Sequence, residues 1–183
     1  AMTRAFREHS LPDLPRETVL SIVGLSLEQA IAKLLPHEDT GTQALVKESY
    51  RQAFFHLRQD PDLHEPLFPG TPDMLKQLNA WDDVLLGIAT GKSQRGLTSI
   101  LALHDLSDMF VTLQTADDHP SKPHPSMLLT AMEETGVAAA DTVIIGDTSY
   151  DMAMGVGAGV HPIGVSWGYH PKEDLAAHGA LHV

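Results

Sequence analysis

The chain has 183 residues, 43% of them hydrophobic and 20% charged, with 24 acidic against 12 basic side chains and a formal charge of −12. That length suits one well-cored domain with a small accessory one, and so acidic a surface repels nucleic-acid phosphates, with no Lys/Arg stripe to offset it. The absence of cysteine excludes disulfides and thiolate metal sites; no apolar run reaches the roughly 18 residues of a membrane span and no signal-peptide pattern is visible, so a cytoplasmic setting is the default expectation.

Up to about residue 66 every periodic signal is helical. Met2 to Glu8 predicts a short helix, Pro15 opens another that ends by Gly24, and Ser26 with Gln29 predicts a capping box for a helix that Pro36 stops. The longest helix is expected over about 42–58, with Val46, Tyr50, Phe54 and Leu57 along one side. The chain divides near Pro66-Leu-Phe-Pro69-Gly70, giving an all-helical segment, 1–66, and a second segment, 67–183.

Beyond Gly70 the texture changes. Thr71-Pro72 predicts a helix start, with the helix running to about Ala80. Four apolar runs follow as predicted strands: Val84 to Ile88, Phe110 to Leu113, Thr142 to Ile145 and Pro162 to Val165. Helices are expected between them near 94–103, 124–135 and 148–156. Strand and helix alternating in this way predict an α/β fold, a Rossmann-like parallel sheet with flanking helices.

Such sheets bind ligands beyond the carboxyl ends of their strands. There the sequence places Thr90-Gly91-Lys92-Ser93, Thr115-Ala-Asp117-Asp118, Asp147-Thr148 and Ser166-Trp167-Gly168. Thr90 and Gly91 could hold phosphate oxygens through a hydroxyl and exposed N–H groups, or Thr90 could simply cap a helix. Lys122, held between turns by the proline after it, could neutralise a carboxylate and a phosphoryl group; alone it would read as a solvated lysine.

Asp147 and Asp151, four residues apart where a strand turns into a helix, share one face of the first turn. They could merely complement the helix dipole. A glycine followed by a pair of oxygen ligands favours a hard cation such as Mg2+. Lesser features carry less weight. The glycines at 155, 157 and 159 end a helix rather than open one, and His119 and His124 lack a zinc ligand set.

Taken together, Ile88-Ala-Thr90-Gly-Lys-Ser93, Ser121-Lys122-Pro123 and Gly146-Asp147-Thr148-Ser-Tyr-Asp151 resemble motifs two to four of the haloacid dehalogenase-like hydrolase superfamily, in its phosphoglycolate phosphatase-like branch. Pro66 to Gly70 and Gly164-Val-Ser-Trp-Gly-Tyr-His170 look like the same branch. The resemblance implies that the helical segment is an α-helical cap. It implies Mg2+-dependent hydrolysis of a small phosphomonoester, phosphoglycolate-like, through an aspartyl-phosphate. Lys122 and Thr90 would be catalytic, Thr90, Gly91 and Lys122 would bind phosphate, and Asp147 and Asp151 would hold the metal, Asp151 directly or from behind. The partner would be a small phosphorylated metabolite, with neither nucleic acid nor membrane.

The family's first motif, D-x-D-G-T, which supplies the nucleophile and lies on the middle strand of the sheet, is not among these residues. The expectation is that it belongs to a segment outside the sequence given, and that the polypeptide as it stands is inactive. A phosphosugar mutase or pyrophosphatase on the same scaffold, and a catalytically silent binding protein, are the rival readings.

Overall fold

The computed structural model describes residues 1–59 and 65–183 and separates into two units, Ala1–His64 and Glu65–Val183. In the first, regular structure among the described residues is entirely helical: α1 (Met2–Glu8), α2 (Arg16–Leu20), α3 (Leu27–Leu34) and α4 (Thr40–Leu57). Short polar side chains set the helix starts. Ser26 Oγ accepts the Gln29 N–H at 3.4 Å, and Asp39 Oδ1 accepts those of Gly41 and Thr42 at 2.8 and 3.1 Å, so donors with no partner inside the helix are satisfied. The unit closes on Met2, Ala5, Phe6, Ile31, Leu35 and Val46. The buried stripe of α4 is Val46, Ser49 and Ala53, with Tyr50 packed beside it. Leu57, expected on that side, is exposed at the last position of α4.

The second unit alternates α5 (Thr71–Asn79), β1 (Gly87–Thr90), α6 (Gln94–Leu103), β2 (Thr112–Thr115), α7 (Ser126–Thr135), β3 (Val143–Gly146), α8 (Ser149–Ala158), β4 (His161–Gly164) and α9 (Lys172–Ala177). β1 pairs with β2 and β3 with β4, both in parallel. The first two strands lie two to three residues later than their apolar runs suggest. Their ladder runs Gly87 to Thr90 against Thr112 to Thr115, because β-branched threonines keep pairing where the hydrophobic run has stopped.

Among the described residues the ladders form two two-stranded sheets rather than one continuous sheet. The two pairs share one core nonetheless. Met127 and Leu128 of α7 pack with Ile144 of β3, Met154 and Ala158 of α8 and Val160, and Ala89 of β1 and Ala116 lie against the same cluster. Gly155 is required for that packing: a Cβ there would meet Ile144 Cγ2 at 2.7 Å, so only glycine lets α8 lie this close to β3. α8 continues past the expected end at 156 to Ala158, where Gly159, at φ +73°, terminates it. No helix among the described residues is long and apolar enough to cross a membrane.

Candidate active site

At the carboxyl end of β3 the chain passes from Gly146 through Asp147 and Thr148 into α8, and the start of that helix is built by a reciprocal cap. Thr148 Oγ1 accepts the Asp151 N–H at 3.3 Å, while Asp151 Oδ2 accepts the Thr148 N–H at 3.1 Å and its hydroxyl at 2.6 Å. The other oxygen, Asp151 Oδ1, accepts from Lys122 Nζ at 2.6 Å, with both side chains only 7% exposed. Lys122 reaches this point from the loop between β2 and α7. Gly146 makes the turn possible, since a Cβ there would overlap the Asp151 side chain. A buried lysine is thus matched to a carboxylate whose other oxygen is also hydrogen-bonded, the condition under which a buried ion pair holds together.

Asp147 is in a different position. Its Oδ2 accepts one backbone N–H, from Tyr169 at 3.1 Å, and its carbonyl accepts the His170 N–H at 3.1 Å. Gly168 lies so close that a Cβ would collide with the Asp147 carboxylate. Burial raises the Asp147 carboxyl above its ordinary range, and the neighbouring Asp151 charge adds to this. The Tyr169 N–H and the Lys122 ammonium oppose the shift without cancelling it. Lys122 is committed to Asp151, so Asp147 is the acid of the pair left short of positive charge.

Lys122, Asp147 and Asp151 are therefore brought together, but Asp151 is not placed as the open metal ligand that its spacing from Asp147 suggests. Both its oxygens are occupied by Lys122 and Thr148, which makes it the partner of the lysine. Among the described residues no group of three or more His, Cys, Asp or Glu side chains forms a ready metal cage. Of the two aspartates, Asp147 is the one whose carboxylate is not committed to a lysine, so it is the one that could offer an oxygen to a hard cation.

Thr90 ends β1, and its Oγ1 accepts the Lys92 N–H at 3.2 Å. It is not the helix cap: Ser93 takes that role, accepting the Gly96 N–H at 3.2 Å. Gly91 lies between them, half-buried at the mouth of the turn. Asp117 Oδ2 accepts the Gln94 N–H at 2.8 Å, tying the start of α6 to the end of β2. Ala89, next to Thr90, packs against the same core cluster as Ile144.

The two histidines of the Lys122 loop have structural partners. His119 bridges Gln114 Oε1 at 2.7 Å and Ser126 Oγ at 2.8 Å, and His124 Nδ1 accepts the Ser126 N–H at 3.2 Å. Sequence reasoning missed the part played by Gly168, Tyr169 and His170 around Asp147. The only sequence signal was the Trp-Gly-Tyr-His string itself, since all three contacts with Asp147 are made by main-chain groups.

Residues 1–165 match the haloacid dehalogenase-like hydrolase family. The chain belongs to that family, and its parallel strands with flanking helices are that family's α/β fold. It is 35% identical over 181 residues to the probable phosphatase IndB of Dickeya dadantii (strain 3937), covering 97% of this chain and 77% of that one. Pyrophosphatase PpaX of Bacillus cereus (strain AH820) is 29% identical over 166 residues, 89% of this chain and 72% of the relative. The phosphoglycolate phosphatase of Photorhabdus laumondii is 26% identical over 178 residues, 96% and 76% of the two chains. A haloacid dehalogenase-like hydrolase from Bacteroides fragilis superimposes with a TM-score of 0.87 at 22% identity, over 99% of this chain and 85% of that structure, a likeness of fold.

Proposed function

We propose that this chain carries the cation- and phosphate-handling part of a Mg2+-dependent phosphatase acting on small phosphomonoesters, phosphoglycolate-like substrates first. The reading is carried by one observation: a buried lysine locked to one aspartate at 2.6 Å beside a second aspartate that lacks a compensating charge. The names of the phosphatase relatives point the same way.

In this reading Thr90 Oγ1 and the Gly91 N–H hold oxygens of the transferring phosphoryl group at the end of β1. Lys122 Nζ, steered by Asp151, donates toward both that group and the attacking carboxylate, so negative charges can approach one another. Asp147, oriented by the Tyr169 N–H, holds the metal, and Mg2+ when bound supplies charge neutralisation for the phosphoryl oxygens. Asp151 acts on the metal site from behind, through Lys122 and Thr148. The nucleophile is an aspartate of a D-x-D-G-T strand outside the sequence given, lying between β1 and β3. Its carboxylate displaces the alcohol from phosphorus, and water then cleaves the aspartyl-phosphate. The helical unit is the cap, the setting is the cytoplasm, and the partner is a small phosphorylated metabolite rather than nucleic acid or membrane.

The experiment is phosphate release by the full-length protein across a panel that includes 2-phosphoglycolate, a phosphosugar and pyrophosphate. Turnover should require Mg2+ and all but vanish in Asp147→Asn and Lys122→Ala; unchanged turnover in either refutes the assigned role. The similarity to PpaX supports pyrophosphate as the second reading, and the panel separates it from the first.

A further inference from the structure

Residues 168–170 each meet Asp147 through the main chain, and the last of them contains the one buried side-chain nitrogen or oxygen atom without a partner among the described residues, His170 Nε2. The ring itself is well held. Nδ1 accepts the Ser149 N–H at 3.1 Å and lies 3.1 Å from Ser149 Oγ, and the Tyr150 ring meets it edge-on at 5.3 Å between centroids. A backbone N–H can only donate, so Nδ1 must present its lone pair, and the neutral ring carries its hydrogen on Nε2.

Ser149 is the first residue of α8, and its N–H is one of the donors that the helix cannot satisfy internally. The reciprocal cap of Thr148 and Asp151 serves the Thr148 and Asp151 N–H groups and leaves that of Ser149 to the imidazole. His170 also donates its own N–H to the Asp147 carbonyl. Through these two bonds one residue spans Thr148, holding the peptide that joins it to Asp147 and the peptide that follows it. Tyr169 then presents its N–H to the carboxylate.

We propose that His170 is a positioning residue for the cation site. As an Nδ1 acceptor it caps α8 through Ser149, and so fixes the direction in which the Asp147 carboxylate points. The proposal rests on the reading of Asp147 as a cation ligand and adds a residue to which that reading gave no role. Partners that orient a metal-binding side chain from behind typically contribute a factor of ten or more to affinity.

The test is Mn2+ binding to the full-length protein, followed by paramagnetic resonance without substrate, in three variants. His170→Asn places an amide oxygen where Nδ1 stands and should keep the affinity within about threefold; His170→Leu and His170→Gln lack an acceptor at that point and should weaken it roughly tenfold. Asparagine binding as poorly as leucine, or leucine binding as tightly as the wild type, overturns the proposal. Asp147→Asn is the control: if it binds Mn2+ like the wild type, the cation reading has failed and the proposal goes with it. Should His170→Leu not fold, imidazole 15N shifts of the wild type decide, because a hydrogen found on Nδ1 contradicts the cap.

Discussion

Replacing Lys122 with methionine keeps most of the side-chain volume and removes the charge. At 2.6 Å between Nζ and Oδ1, the attraction at an effective dielectric near 20 is on the order of 6 kcal/mol. Most of that offsets the desolvation of two ions, yet removing one partner leaves the other charge buried and uncompensated, which costs about 3–5 kcal/mol. For a protein of this size each kcal/mol moves the midpoint by roughly 2–4 °C, so Lys122→Met should melt about 6–20 °C lower. The transition to follow is that of the second unit, by heat and by urea, with an unchanged urea slope showing that stability rather than the unfolded state has moved. The double variant Lys122→Met/Asp151→Asn should recover much of the loss, since asparagine can still accept from Thr148 with no charge to bury. A single variant within about 2 °C of the wild type, or a double variant no better than the single, would show that the pair is neither buried nor coupled in solution.

Other expectations concern Asp147 and its surroundings. Because burial raises its carboxyl in the folded state, the fold prefers the neutral acid: metal-free stability declines as pH rises from the unfolded value through the folded one, and the full cost is present above both. Asp147→Asn should therefore match the wild type in acid and exceed it at neutral pH in EDTA, as thermal melts would show. Mg2+ at about 100 times its dissociation constant should stabilise the wild type by about 2.7 kcal/mol and leave the asparagine variant unmoved, measured by the same melts. Gly168→Ala puts a methyl group into the Asp147 carboxylate and should cost about 1–3 kcal/mol along with most of the metal affinity, read by calorimetry. Thr148→Val removes the cap hydroxyl that donates to Asp151 and should cost about 0.5–2 kcal/mol in urea unfolding.

Alternation of apolar runs with helical periods was enough to read the parallel α/β character of the second unit, and the helix start at Ser26 follows from residue type, whereas the cap of α6 is Ser93 and not Thr90. Strand ends were less legible. Thr90 and Thr115 read as polar residues following a strand, and only the ladder shows that they belong to it. The pairing of Lys122 with Asp151 rather than with Asp147 was out of reach for a different reason. Both acids lie at helix-facing spacing from the same strand end, and which one meets the lysine depends on the turn at Gly146 and on the Thr148 cap. Tyr169 contributes a main-chain donor, and no residue type advertises that.

The two aspartates illustrate how equal spacing yields unequal acids. An i, i+4 pair on one helical face looks symmetric in sequence, and two like charges so placed would resist ionising together. The fold breaks the symmetry by giving every strong donor to one member. Asp151 receives an ammonium, a hydroxyl and a backbone N–H, while the donors to Asp147 are backbone N–H groups. Carboxylates given different partners can take different roles. In the proposed reading the compensated acid holds the lysine still, and the uncompensated one holds the cation. Asp151 keeps both oxygens on Lys122 and Thr148, so in that reading it serves the site through the lysine.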